Sequence, residues 1–146
     1  MLLSREASIV SGLILLTVPT VMYGGLTLLG ILTGGSAGTP GPTRLTETQW
    51  ALFRAGHAHA GVWVILSLVI QMLLDSATLG TRSRWLARVA APAGAVAISG
   101  GFFGLAYVAP FRWLLYMGAV SMAIAVVITG VGLLRHRTDA DLRPRT

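Results

Sequence analysis

The chain has no cysteine and no lysine, and only five of its 146 residues are acidic. Without cysteine there is neither a disulfide framework nor a thiolate metal site. With so few carboxylates a hard-cation site is disfavoured, because such ions take many oxygen ligands. Charged residues make up 11% of the chain, against about a quarter in a soluble domain. What fills the chain instead is apolar: 54% of residues are hydrophobic and the mean hydropathy is +0.74. The length sets a single domain, residues 1–146, as the expectation. All basic charge is arginine, eleven residues giving a net +6. Such an excess suits nucleic acid or an anionic surface. Here the arginines lie between and beyond apolar runs, as in a polytopic membrane protein. Nucleic acid is therefore excluded as the expected partner, and membrane lipids take its place. The start, MLLSREAS, carries no small-residue cleavage signal at a useful distance, so the first apolar run is read as a retained helix.

The chain divides into four apolar segments, at about 7–33, 47–76, 86–108 and 112–134. Each is long enough to cross a hydrocarbon core of about 30 Å. The fold class is all-α, a four-helix transmembrane bundle. Pro19 falls inside the first segment and removes one backbone donor, which Thr17 and Thr20 can help to offset. Gly24, Gly25 and Gly30 leave room for a second helix. Residues 34–44, GGSAGTPGPTR, form a loop by composition, a candidate flap over the outer face. Thr46 and Gln49 are spaced as a capping box opening the second helix. Residues 76–88 read as a basic connection, with Pro92 near the start of the third helix, where proline does least harm. In the third segment Ala93, Ala97 and Gly101 repeat at four, as do Gly100 and Gly104; in the fourth, so do Ser121, Ala125 and Thr129. That spacing predicts an antiparallel hairpin with a small-residue seam. Residues 135–146 read as a disordered polar tail.

With both termini in the cytoplasm, eight arginines lie inside (Arg5, Arg82, Arg84, Arg88, Arg135, Arg137, Arg143, Arg145) and three outside (Arg44, Arg54, Arg112). The positive-inside bias therefore predicts an N-in, C-in, multi-pass protein of the plasma membrane.

The second segment carries the polar residues that invite a functional reading. Arg54, His57, Gln71 and Asp75 fall on one stripe at helical period. Polar groups on a membrane helix belong on the face turned to its neighbours. His59 lies about 200° round the helix from His57, so a straight helix cannot bring both imidazoles to one metal. His136 is at the far end of the fourth segment. Tyr107, Arg112, Tyr116 and Met117 lie at the depth of the two histidines and form with them a candidate outer cluster. Copper(I) accepts imidazole and thioether, which makes His57, His59 and Met117 the candidate ligands. Haem needs an axial histidine, again His57 or His59. The structural alternatives are as simple. Interfacial histidines bond carbonyls, water or headgroups; Arg54 and Arg112 meet phosphates; Gln71 makes an interhelical hydrogen bond; Asp75 pairs with Arg82 or Arg84. Met22, Met72 and Met122 read as packing.

The run Gly56-His57-Ala58-His59-Ala60-Gly61 resembles that of a group of small, poorly characterised four-helix bacterial membrane proteins, a likeness that covers most of the chain and implies no activity. Over about six residues it is also similar to the His-x-His helix of the catalytic subunit of haem–copper oxidases and nitric oxide reductases. That likeness implies haem ligation by His57 or His59. The other histidine-bearing helices of that family are missing, which excludes a self-contained oxidase. The wealth of Arg, Ala and Gly without Lys fits a GC-rich bacterial gene.

Three functions stay open at this point. The leading one is non-enzymatic: a structural or accessory subunit that packs on a homo- or hetero-oligomeric membrane partner. The second is a redox protein holding haem or copper through His57 and His59. The third is a small transporter or lipid-binding protein that uses the stripe of Arg54, His57, Gln71 and Asp75.

Overall fold

The second helix opens where its capping residues place it. In the computed structural model, which describes residues 3–32 and 45–141, the Gln49 amide donates to Thr46 Oγ1 at 3.2 Å. In return the Thr46 amide donates to Gln49 Oε1 at 2.9 Å. Two backbone donors that the first turn leaves free are thereby satisfied reciprocally. Gln49 Nε2 also donates to the Ala106 carbonyl at 3.1 Å, which ties this end to the end of the third helix.

Four helices follow in order: α1 (Arg5–Leu32), α2 (Glu47–Ser76), α3 (Thr81–Leu105) and α4 (Phe111–Asp141). All four are long and apolar enough to cross a membrane. Their outward faces carry large exposed apolar side chains such as Leu16, Ile65, Val96 and Val127. In water such a surface would be untenable over this extent; in lipid it is the expected coat. The chain is a small multi-pass membrane protein.

Two boundaries differ from the sequence reading. The third helix begins at Thr81, not at about 86, because nothing in 81–85 breaks a helix. Its first turn closes through the Arg84 amide on the Gly80 carbonyl at 3.0 Å. The basic connection is thus mostly helix, and Pro92 stands inside it rather than near its start. The fourth helix continues to Asp141, so the backbone of 135–141 is helical where a tail was expected. No glycine or proline interrupts that run before Pro144. The expected outer flap at 34–44, and residues 142–146, lie outside the described residues.

Helix α3 is the centre of the bundle, packed against α2 on one side and α4 on the other. Ile70 and Leu74 of α2, Ala87, Ala91, Ala95 and Ile98 of α3, and Met122 and Ala125 of α4 form one buried core. The α3–α4 crossing is close because it is built on glycine. A Cβ on Gly94 would lie 2.9 Å from the Gly118 carbonyl oxygen, and one on Gly101 would lie 2.7 Å from the Leu115 amide nitrogen. Of the two small-residue rows expected on α3, Gly101 and Ala97 belong to this seam, whereas Ala93 is exposed. The α4 row holds: Ala125 is buried, Thr129 is buried, and Ser121 Oγ donates across to the Ala90 carbonyl at 2.9 Å.

Helix α1 packs mainly on α2, touches α3 sparsely and makes no contact with α4 among the described residues. The chain ends gather at one end of the bundle. Ser4, just before α1, bonds Asp75 near the end of α2. The Thr78 amide, in the α2–α3 turn, donates to the Gly132 carbonyl late in α4 at 3.0 Å. This is the arginine-rich end.

Candidate functional site

The polar stripe on α2 divides into two unlike parts. The part nearer the arginine-rich end, Gln71 and Asp75, forms a buried network with a residue that the sequence reading counted as a loop charge. Arg88 is 2% exposed. Its Nη2 donates to Asp75 Oδ1 at 2.8 Å, and its Nη1 lies 3.5 Å from Gln71 Oε1. The expected partners of Asp75, Arg82 and Arg84, are displaced because the earlier start of α3 carries Arg88 to the level of Asp75. Arg84 instead donates from Nη2 to the Ala77 and Leu79 carbonyls, both at 3.3 Å, and so ties down the turn. Asp75 reaches further, to α1. Its Oδ2 accepts from the Ser4 amide and its Oδ1 from Ser4 Oγ, each at 2.8 Å. Ser4 Oγ in turn accepts from the Ala7 amide at 3.1 Å, capping α1. One carboxylate thereby joins three helices. A polar cavity of about 340 Å³ lies against this network, with Glu6, Thr81 and Trp85 in its wall.

Gln71 has a second task, which follows from Pro92. Proline has no amide hydrogen, so the carbonyl four residues back, that of Arg88, loses its helical partner. Gln71 Nε2 donates to that carbonyl at 3.0 Å. An orphaned acceptor inside the bundle is thus met from the neighbouring helix. Gln71→Leu should therefore lower stability by about 1–3 kcal/mol, the cost of leaving a buried polar group unsatisfied. Reversible unfolding in mixed micelles measures it, and an unchanged midpoint would refute this role. In α1 the analogous compensation is not made as expected: Thr17 Oγ1 donates at 2.7 Å to Ile14, not to the Leu15 carbonyl that Pro19 frees.

The part of the stripe at the opposite end of α2 faces elsewhere. Arg54 is exposed. His57 turns to α1, where the Gly24–Gly25 pair leaves a notch for its ring. A Cβ on Gly25 would lie 3.0 Å from both Cε1 and Nε2 of the imidazole. The room that glycine leaves in α1 is therefore room for a side chain rather than a helix backbone. His59 turns to α3. Its Nδ1 donates to the Ala55 carbonyl at 2.7 Å, and its ring lies 4.8 Å from that of Phe102. The two imidazoles thus serve different helix pairs, as the regular helix requires. Among the described residues no three of His, Cys, Asp and Glu come together as a metal site.

The remaining residues of the expected cluster spread over the surface. Tyr107 packs edge-on against Phe53, with ring centroids 5.8 Å apart. Tyr116 packs against Trp113, and the Arg112 guanidinium lies 5.7 Å from the Trp113 ring centroid. Met117 is 69% exposed. The structure brings Tyr107 to α2 through Phe53, and it leaves Arg112, Tyr116 and Met117 on the outward face of α4.

Between α1, α2 and α3 lies a cleft of about 330 Å³ that the sequence did not reveal. Its wall is mostly apolar (Ile14, Val21, Val64, Val96, Phe103 among others), with Thr17, Thr20, His57, Ser67 and Ser99 as polar points. Ser67 is fully buried and Ser99 is 8% exposed. Neither hydroxyl has a hydrogen-bond partner among the described residues. That is unusual, because a helical serine in a membrane ordinarily returns its proton to a carbonyl of the preceding turn, as Thr129 does to Ala125 at 2.7 Å. The ring nitrogens of His57 likewise have no partner among the described residues. The signal available in the sequence was weak: Ser67 and Ser99 are isolated hydroxyls in apolar runs, indistinguishable by type from Ser121, which is satisfied. No family model, no curated protein and no solved structure matches the chain.

Proposed function

We propose that this protein is a membrane-embedded binding protein for a lipophilic small molecule, held in the cleft between α1, α2 and α3. The observation that supports it most is the make-up of the cleft, a mostly apolar wall broken by His57, whose ring nitrogens have no partner among the described residues. Ligand sites are concave, mostly apolar and carry a few polar groups that fix orientation, with volumes from about 300 Å³ upward. Because α1 touches α3 so little, the cleft opens sideways toward lipid, the route by which a lipophile would enter. This deepens the lipid-binding reading of the polar stripe, with the site moved from Gln71 and Asp75 to the cleft at His57. The orientation that fits is N-in and C-in at the plasma membrane, with the arginine-rich end in the cytoplasm. Without Arg88, which is buried in an ion pair, the count remains seven against three.

Ala60 lines the cleft, and Ala60→Phe would fill it. A ligand present at 100 times its Kd adds about 2.7 kcal/mol to stability. The neutral lipid fraction of the membrane should therefore raise the unfolding midpoint of the native protein and leave that of Ala60→Phe unmoved. Equal shifts in both proteins would defeat the proposal.

The accessory-subunit role is the second reading, favoured by α1. Only 6% of its most apolar stretch is buried, against 50% for α3. Its remaining faces are open to a neighbouring protein. Cross-linking from an α1 position such as Leu16 in native membranes would give a discrete adduct on this reading, and lipid alone otherwise.

A further inference from the structure

The polar cavity at the arginine-rich end is a second candidate site. We propose that it holds the head of one bilayer phospholipid, a zwitterion whose phosphate lies against Arg84 and whose ammonium lies against Glu6. The cavity shares no lining residue with the apolar cleft at His57, so the two sites stand or fall separately.

Depth is the first argument. The cavity wall is made by Ser4 and Glu6 at the start of α1, Asp75 at the end of α2, and residues from Thr81 to Arg88 at the start of α3. That part of α3 rises by roughly 10 Å. The headgroup zone on each side of a bilayer is roughly 5–8 Å deep. The cavity therefore lies at the level of phospholipid heads. Leu3 and Trp85 in its wall, and Val89 one turn further along α3, are exposed. They give the lipid chains an apolar surface, and a tryptophan at this level is the usual interfacial anchor.

Charge is the second argument. The ionisable side chains in the wall are Glu6, Asp75, Arg84 and Arg88. Asp75 and Arg88 offset one another at 2.8 Å, and Ser4 donates to both carboxylate oxygens. Glu6 and Arg84 remain. They stand on different walls, α1 and α3, and form no ion pair with each other or with any other described residue. Arg84 spends Nη2 on the turn carbonyls and its Nε is enclosed, which leaves Nη1 for a ligand. Arg5 and Arg82 are exposed and lie outside the wall. The cavity thus presents one unpaired cation and one unpaired anion, held apart.

A purely anionic head would meet Arg84 and be repelled by Glu6. A zwitterionic phosphate meets both. Arginine suits a phosphate, a carboxylate accepts from an ammonium, and the Trp85 ring offers a cation its face. Ethanolamine phosphate has this arrangement, with the ammonium beyond the phosphate.

The test is native mass spectrometry of the full chain, stripped of lipid in detergent and titrated with probes. These are phosphatidylethanolamine, phosphatidylglycerol and diacylglycerol of one chain composition, and free phosphoethanolamine. Phosphatidylethanolamine is expected to bind tightest, by about tenfold over phosphatidylglycerol, the value of one charge-assisted hydrogen bond. Glu6→Gln should bring these two lipids level, and Glu6→Lys should reverse their order, a change that partial unfolding would not produce. Arg84→Gln should lower both to the level of diacylglycerol, and Arg84→Lys, which keeps the cation, should retain part of the binding. Because Arg84 also holds the α2–α3 turn, unfolding midpoints of its variants are measured alongside. Phosphatidylglycerol binding as tightly as phosphatidylethanolamine to the native chain overturns the zwitterion. Diacylglycerol binding as tightly as either overturns the head site. Free phosphoethanolamine binding as tightly as the lipid overturns the bilayer as the source of the ligand. An unchanged order of lipids in Glu6→Lys overturns the role of Glu6. Mass separates all of these from an occupant of the cleft, so none of them bears on lipophile binding there.

Discussion

Replacing Arg88 with leucine lowers the stability of the bundle by about 3–5 kcal/mol, the cost of stripping one partner from a buried ion pair. The argument is one of asymmetry. Asp75 and Arg88 are both largely out of contact with solvent, their side chains 12% and 2% exposed. Together their desolvation is offset by the 2.8 Å contact and by the bonds from Ser4 and Gln71. Without the guanidinium, Asp75 is left as a carboxylate with only Ser4 to meet it. The same loss loosens α1, because Asp75 is what its first turn is bonded to. Arg88→Lys keeps the charge but not the fork that spans Asp75 and Gln71, so it should fall between the native protein and the leucine variant. Asp75→Asn together with Arg88→Leu should cost less than the two single changes added, since neither charge then remains unpaired. Reversible unfolding of the four proteins in mixed micelles closes the double-mutant cycle. Additivity within about 0.5 kcal/mol would show that the pair is not coupled.

The second large effect is expected at Gly118. A Cβ there would lie 2.6 Å from the Ile98 backbone nitrogen and 2.9 Å from the Ala97 Cβ. The obstacle is helix backbone, not the end of a flexible side chain, so α3 and α4 must move apart. Gly118→Val is expected to cost at least the 1–3 kcal/mol typical of overpacking. It should also separate Ser121 from the Ala90 carbonyl, which leaves the serine hydroxyl without that acceptor. Gly130, whose added Cβ would meet nothing within 4 Å, is the control, and Gly130→Ala should be neutral or slightly stabilising. Equal unfolding midpoints for Gly118→Val and the native chain would contradict the packing described for this seam.

Much of the architecture was readable without coordinates, because a membrane imposes simple rules. Four apolar runs of spanning length can hardly be other than four helices, since only a helix satisfies its own backbone in lipid. The capping box at Thr46 and Gln49 was visible because its chemistry is local. The α4 seam through Ser121, Ala125 and Thr129 followed from period alone. The fate of Arg88 was hidden for a different reason. With the third helix taken to begin at about 86, Arg88 sat among loop charges; five more helical residues carry it into the bundle beside Asp75. The hairpin itself held the clue. A turn centred near residues 79 and 80 sets Gln71 opposite Arg88, and Pro92 four residues on demands a donor at that carbonyl. The divergence of His57 and His59 was legible from the 100° step of the helix. That His57 would enter a glycine notch in α1 was not, because nothing in sequence fixes which face of one membrane helix meets another. The cleft was out of reach for the same reason: it is a space left by three helices, and its hydroxyls differ from satisfied ones only in what surrounds them.

The measurement that tests the account most directly is native mass spectrometry of the protein released from its own membranes in mild detergent. The account predicts a one-to-one adduct of a small lipophile, retained by the native chain and absent from Ala60→Phe. A native chain that emerges bare, or an adduct carried equally by Ala60→Phe, would contradict it.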